Sequence, residues 1–218
     1  MSLDKSVLAN MLLNAFNNMN NMASSATPEV GNTYAANQIA IALSTYLSTA
    51  TISTTQNSDI GIYTPSYAYT GTTSGTGITI DVTSLTTSLA NHFMSENLSD
   101  DKIADYIATD INNALATAVI TPKTNGTYVV PGDPPQTYSG SATGTGLFTG
   151  VVTDISSNLK TVFASMYQKA QNPPEGYNGN KDFADTFADC VDTYMKHSGC
   201  LTVTYITPVS CVNTASIN

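Results

Sequence analysis

The chain has no arginine and no tryptophan, and only seven of its 218 residues are lysines. Nucleic-acid binding needs cations along the phosphate backbone, and arginine is the preferred fork for phosphate and guanine. The missing arginine therefore argues against direct DNA or RNA binding and against an arginine-clamped phosphoryl-transfer site. Sixteen acidic residues bring the formal charge to −9, which also disfavours an anionic membrane surface. No apolar run approaches the roughly 20 residues of a spanning helix. The start, Met1-Ser-Leu-Asp-Lys5, shows no basic-then-apolar leader, so synthesis in a cytoplasm without a cleaved signal is expected. Three cysteines, Cys190, Cys200 and Cys211, are an odd number and suggest no disulfide framework.

What the chain does have is repetition. Ala36, Ile39, Ala40, Leu43 and Tyr46 return in the same spacing as Ala104, Ile107, Ala108, Ile111 and Ala114. They return again as Ala184, Phe187, Ala188, Val191 and Tyr194. A second element precedes each copy: Leu8, Leu12 and Phe16; then Leu85, Leu89 and Phe93; then Ile155, Leu159 and Phe163. Apolar residues four apart lie along one helix face. The spacing predicts first helices over about 4–22, 82–97 and 152–171, and second helices over about 33–49, 101–117 and 181–197. Asp4, Asp81 and the pair Thr153 and Asp154 stand where a side chain can cap a helix. Asp100, Asp101, Asp182 and Asp185 place negative charge in first turns, where the helix dipole favours it.

Each second helix runs into a β-prone stretch: 51–55, 119–121 and 201–206, rich in Thr, Val and Ile. Two units continue through Pro/Gly/Tyr loops (56–66 and 122–137) into a second extended, glycine-rich segment, 67–80 and 138–148, containing Gly-Thr-Gly at 75–77 and 144–146. The expected fold class is α+β: one body, residues 1–218, of three tandem helix–helix–strand units. Two units carry the extra Gly-rich strand, and all share a core and a small antiparallel sheet. The unit boundaries are 1–80, 81–150 and 151–218, the last cut short and expected to leave a strand edge open to another chain. Units of about 70 residues bury too little surface to stand alone, so a shared core is expected.

Candidate chemistry is thin. His92 and His197 lie in different units. Cys190, His197, Cys200 and Cys211 lack the tight Cys-x2–4-Cys pairs of a zinc site. Cys190 and His197 are two turns apart on one helix, roughly 10 Å, too far for direct proton transfer. Cys200 and His197 have no third group to orient them. Asp182, Asp185, Asp189 and Asp192 share a helix face, which reads as a solvated stripe or as a contact to a basic neighbouring subunit. Asn178-x-Asn180-x-Asp182 begins a calcium-loop pattern, but Phe183 holds the glycine position and the closing glutamate is missing. Gly75-Thr-Gly77 has no P-loop lysine; its alternation suits a strand that another backbone approaches closely. The sequons at Asn97 and Asn125 carry little weight without export. No catalytic, cofactor-binding or metal-binding residue is expected. An enzyme would need Asp and His from separate units brought to one pocket.

The segment Phe183-Ala-Asp-Thr-Phe-Ala-Asp-Cys-Val-Asp-Thr-Tyr194 and the segment Tyr138-Ser-Gly-Ser-Ala-Thr-Gly-Thr-Gly146 resemble virion structural proteins of tailed bacteriophages, in tail, baseplate, neck or head-associated components. That resemblance implies a non-enzymatic subunit located in the virion, without cofactor. Its partners would be other virion proteins and copies of itself in a homo-oligomer, assembled through strand edges and Ala-rich helix faces. The alternative is a carbohydrate- or host-surface-binding module that stacks ligand on Tyr63, Tyr67, Tyr69, Tyr128 and Tyr138.

Overall fold

The computed structural model describes the backbone of residues 3–217 except 23–25, 61–66, 96–98, 121–122, 131–135, 149–150, 198–200 and 207–210; it describes side chains for 3–22, 26–50, 77–95, 99–119 and 151–196. Of the residues with described side chains, 81% are helical. They form α1 (Lys5–Met22), α2 (Pro28–Ser48), α3 (Val82–Phe93), α4 (Asp100–Ala116), α5 (Val152–Gln171) and α6 (Gly179–His197).

The helices begin for local reasons. Asp81 accepts from the Ser84 N–H at the start of α3, and Ser99 accepts from the Lys102 N–H at the start of α4. Asp4 accepts from the Ser6 N–H at the head of α1. α2 starts earlier than the apolar spacing predicts because Thr27 caps it and Pro28 follows in the first turn, where a missing N–H costs nothing. The expected cap at Thr153 and Asp154 is displaced: Val151 occupies the cap position with no side-chain bond.

Each first helix packs against the second helix of its own unit and against the second helix of the unit before it. Thus α3 contacts α4 and α2, α5 contacts α6 and α4, and α1 contacts α2 and α6. The last of these contacts closes the series into a ring. Only a narrow stripe of α1, α3 and α5 is buried, for example Leu8, Leu12 and Ala15 on α1. The second helices supply most of the core, including Ile39, Leu43, Leu47, Ile107, Ile111, Leu115, Phe187 and Val191, all at 3% exposure or less. Burying each such side chain contributes about 1.5–3 kcal/mol, far more than an exposed ion pair.

The expected α+β body with a sheet sharing its core is therefore corrected. The described body is all-α. The six helices turn their apolar faces on one another, and of the extended residues with described side chains Ile78 and Ile80 join that core. The motif alanines fill that interior: Ala36, Ala40, Ala104, Ala108, Ala184 and Ala188 are all 0–1% exposed. Their small side chains let neighbouring helices approach within one chain, and none is left for contact between chains.

The remaining strands are described as backbone, apart from the edge of the helical body. They are β1 (Thr51–Ile60), β2 (Tyr67–Thr76), β3 (Ile78–Thr79), β4 (Val119–Ile120), β5 (Lys123–Val130), β6 (Gln136–Phe148), β7 (Leu201–Ile206) and β8 (Cys211–Ile217). β3 and β4 pair antiparallel with each other, and the other six pair antiparallel in the order β1-β2-β5-β6-β7-β8, with β8 returning to β1. The open edge expected in the third unit is filled, since β7 has β6 on one side and β8 on the other. Gly77 turns the chain from β2 into β3 at φ +83, and its N–H donates to the Ala50 carbonyl at 2.8 Å. A β-carbon there would meet the Ser48 carbonyl at 3.4 Å. This glycine is needed for a left-handed turn beside another backbone.

Candidate functional site

Equivalent positions of the three units can be compared directly. Two residues before the motif tyrosine stand Ser44, Asn112 and Asp192. The Tyr46 hydroxyl donates to Asp192 Oδ1 at 2.8 Å, and the Tyr194 hydroxyl donates to Asn112 Oδ1 at 2.7 Å. Unit 1 thus reaches unit 3, and unit 3 reaches unit 2, by the same pair of positions. The third link would run from position 114 to Ser44, but position 114 is alanine. Asp192 is 8% exposed, and its other oxygen accepts from Lys196 at 2.8 Å. Burial first, then the Asp192 hydrogen bond, push the Tyr46 phenol far above its ordinary pKa, so it remains a donor.

Unit 2 is also unusual next to that alanine. Asp110, 4% exposed, accepts from the Ser88 hydroxyl on Oδ1 at 2.6 Å, and its Oδ2 lies 2.8 Å from His92 Nδ1. The His92 ring stacks on Tyr106 with centroids 4.1 Å apart. At the matching places unit 1 has Met11, Ala15 and Ala42, and unit 3 has Asn158, Val162 and Cys190. Beside this clamp a cleft of about 500 Å³ opens between α3 and α4. Leu85 and Ala114 form its apolar wall, Asp81 and Asp110 bring carboxylates, and Ser84, Ser88, Asn113 and Thr117 complete it.

An Asp and a His do meet here, but both come from unit 2. Serine and histidine each bond the aspartate, on opposite oxygens, so the clamp does not present the serine to the histidine as a nucleophile to its base. The arrangement holds α3 to α4 and keeps a buried carboxylate satisfied.

The acidic stripe of α6 is consumed within the chain. Asp182 pairs with Lys169, Asp185 with Lys181, Asp189 with Lys5 and Asp192 with Lys196. The calcium-like run is a helix start: Asn178 accepts from the Lys181 N–H and Asn180 bonds Asn17. Phe183 packs edge-on to Phe16 of α1 at 5.1 Å and lies parallel to Phe163 of α5 at 5.9 Å. Among the described residues no group of His, Cys, Asp and Glu could hold a metal ion. No described helix is long and apolar enough to cross a membrane. Cys190 is buried, and burial, then the Asp189 charge, push its thiol up to about 11. Cys200 and Tyr63 lie outside the described residues, as do the side chains of His197 and Cys211. Tyr69, Tyr128 and Tyr138 are aligned in one register row across β2, β5 and β6, and Tyr67 pairs with Ile60 on β1.

No family model, curated protein or solved structure matches the chain.

Proposed function

We propose that the chain is a non-enzymatic structural subunit of a bacteriophage virion, built to contact other virion proteins and copies of itself. One observation carries the reading. Three copies of a helical hairpin close on each other through α1 and α6, so the triplication makes one body with approximate threefold character. The contacts do not run through the alanine faces, which are spent inside the ring. They run through the outer helices; on α1, Asn14, Asn17, Asn18, Asn20 and Asn21 present short, neutral side chains and are exposed. Such side chains lose little entropy on being fixed, which suits permanent contacts. Mass spectrometry of purified particles, with light scattering of the isolated chain, tests this. The reading expects a fixed copy number in particles and a defined oligomer in solution. A monomer at high concentration that is absent from particles would reject it.

The alternative, binding to carbohydrate or a host surface, draws support from the row of Tyr69, Tyr128 and Tyr138, which adjoining strands set about 4.8 Å apart. Alanine at these three positions should abolish glycan binding and leave the oligomer intact; loss of assembly alone would set this alternative aside.

A further inference from the structure

The two walls of the cleft between α3 and α4 follow one spacing. Asp81, Ser84, Leu85 and Ser88 line one side, at i, i+3, i+4 and i+7 of a helix face. Asp110, Asn113, Ala114 and Thr117 repeat that spacing on the other. Ser88 meets Asp110 and His92 meets Tyr106, so the helices run antiparallel and Asp81 falls level with Thr117. The two carboxylate levels are therefore at opposite ends of the cleft, about 10 Å apart along the helix axis, with Leu85 and Ala114 between them.

The hydroxyls of the lining have their protons committed. Ser84 donates to Asp81 Oδ2 at 2.8 Å, and Ser88 donates to Asp110 Oδ1 at 2.6 Å. Thr117 donates to the Asn113 and Ala114 carbonyls at 3.2 and 3.3 Å. Only acceptor lone pairs remain on these three oxygens. With two carboxylates and the Asn113 amide oxygen beside them, the lining is almost wholly acceptor, and among the described residues no lysine or histidine lines it.

We propose that this cleft binds a linear α,ω-diamine of about four methylenes, one ammonium group at the Asp81 end and the other at the Asp110 end. An alkylammonium group matches the lysine side chain, is charged at neutral pH, and brings three donors and no acceptor. Asp110 is 4% exposed, so at its end the Ser88 and Asn113 oxygens take the bonds while the carboxylate behind Ser88 supplies the charge. The methylenes cover Leu85 and Ala114. Carboxylates this far apart cannot share one metal ion. The matching places of Asp110 in units 1 and 3 are Ala42 and Cys190, so the pair of charges belongs to unit 2. The volume, about 500 Å³, is that of a small-molecule site.

The test is a titration of the folded chain with 1,4-diaminobutane, followed by protein NMR. Shifts should saturate at Ser84, Ser88 and Asn113. Butylamine, with a single head, should bind about fivefold more weakly, the worth of one exposed ion pair. Asp81→Asn keeps a good helix cap and should bring the diamine down to the butylamine value. Asp154→Asn removes an exposed charge outside the cleft and should change nothing, which separates a site from the general pull of a chain at −9. If Asp81→Asn does not fold, Ala114→Val, which takes room from the apolar middle, should weaken the diamine. Absence of saturable shifts, butylamine binding as tightly as the diamine, equal weakening by Asp154→Asn, or undiminished binding in the folded cleft variant would each overturn the proposal.

Discussion

The hydroxyl of Tyr46 and the carboxylate of Asp192 meet at 2.8 Å across 146 residues of chain, joining the second helix of the first unit to that of the third. The phenol is fully buried and the acceptor is charged, so this bond ranks with the stronger ones. Tyr46→Phe should lower the unfolding free energy by about 2 kcal/mol, read from urea denaturation. An unchanged midpoint would mean the bond does not help hold the units together.

Ala108 is 0% exposed at the interior of α4. Ala108→Leu should destabilise the isolated chain by about 1–3 kcal/mol through overpacking. If the alanine ridge instead served contacts between chains, the variant would melt normally and fail only in assembly.

The Ser88, His92 and Asp110 clamp supports two contrasting variants. Asp110→Ala strands two polar partners and should cost about 1–3 kcal/mol. The triple change Ser88→Met, His92→Ala and Asp110→Ala installs the unit 1 set and should lie within about 1 kcal/mol of the parent, since all partners leave together. Thermal melts of the two, compared side by side, decide it. A triple variant no more stable than Asp110→Ala would show that unit 2 cannot accept the apolar arrangement.

Cys190 gives a pH dependence with a definite sign. Its folded thiol titrates at about 11, above the ordinary 9.0. The unfolded thiol therefore loses its proton first, and stability from this group is full below pH 9 and falls as pH rises towards 11. Cys190→Ser should flatten that part of the stability profile. At pH 8, alkylation of Cys190 followed by mass spectrometry should be slow and should accelerate in urea.

The sequence made the helices readable because residues four apart, such as Leu8 and Leu12 or Leu85 and Leu89, report a buried face without knowledge of the partner. Ring closure was not readable in this way. The acceptor position changes from Ser44 to Asn112 to Asp192, so the repeat hides it, and Asp192 reads as one more acid on a solvated stripe. The α+β expectation failed for a related reason. Thr- and Ile-rich stretches signal extended backbone, but periodicity does not say whether a strand joins a core that helices already fill. The Ser88, His92 and Asp110 clamp left a trace, since all three replace small or apolar residues of unit 1. That trace becomes meaningful only once α3 and α4 are known to face each other there.

Hydrogen exchange of the second helices tests most directly whether three units form one ring. If they do, the slowest amides of α2, α4 and α6 exchange with one common free energy, equal to that of global unfolding. Three separate free energies, one for each unit, would contradict it.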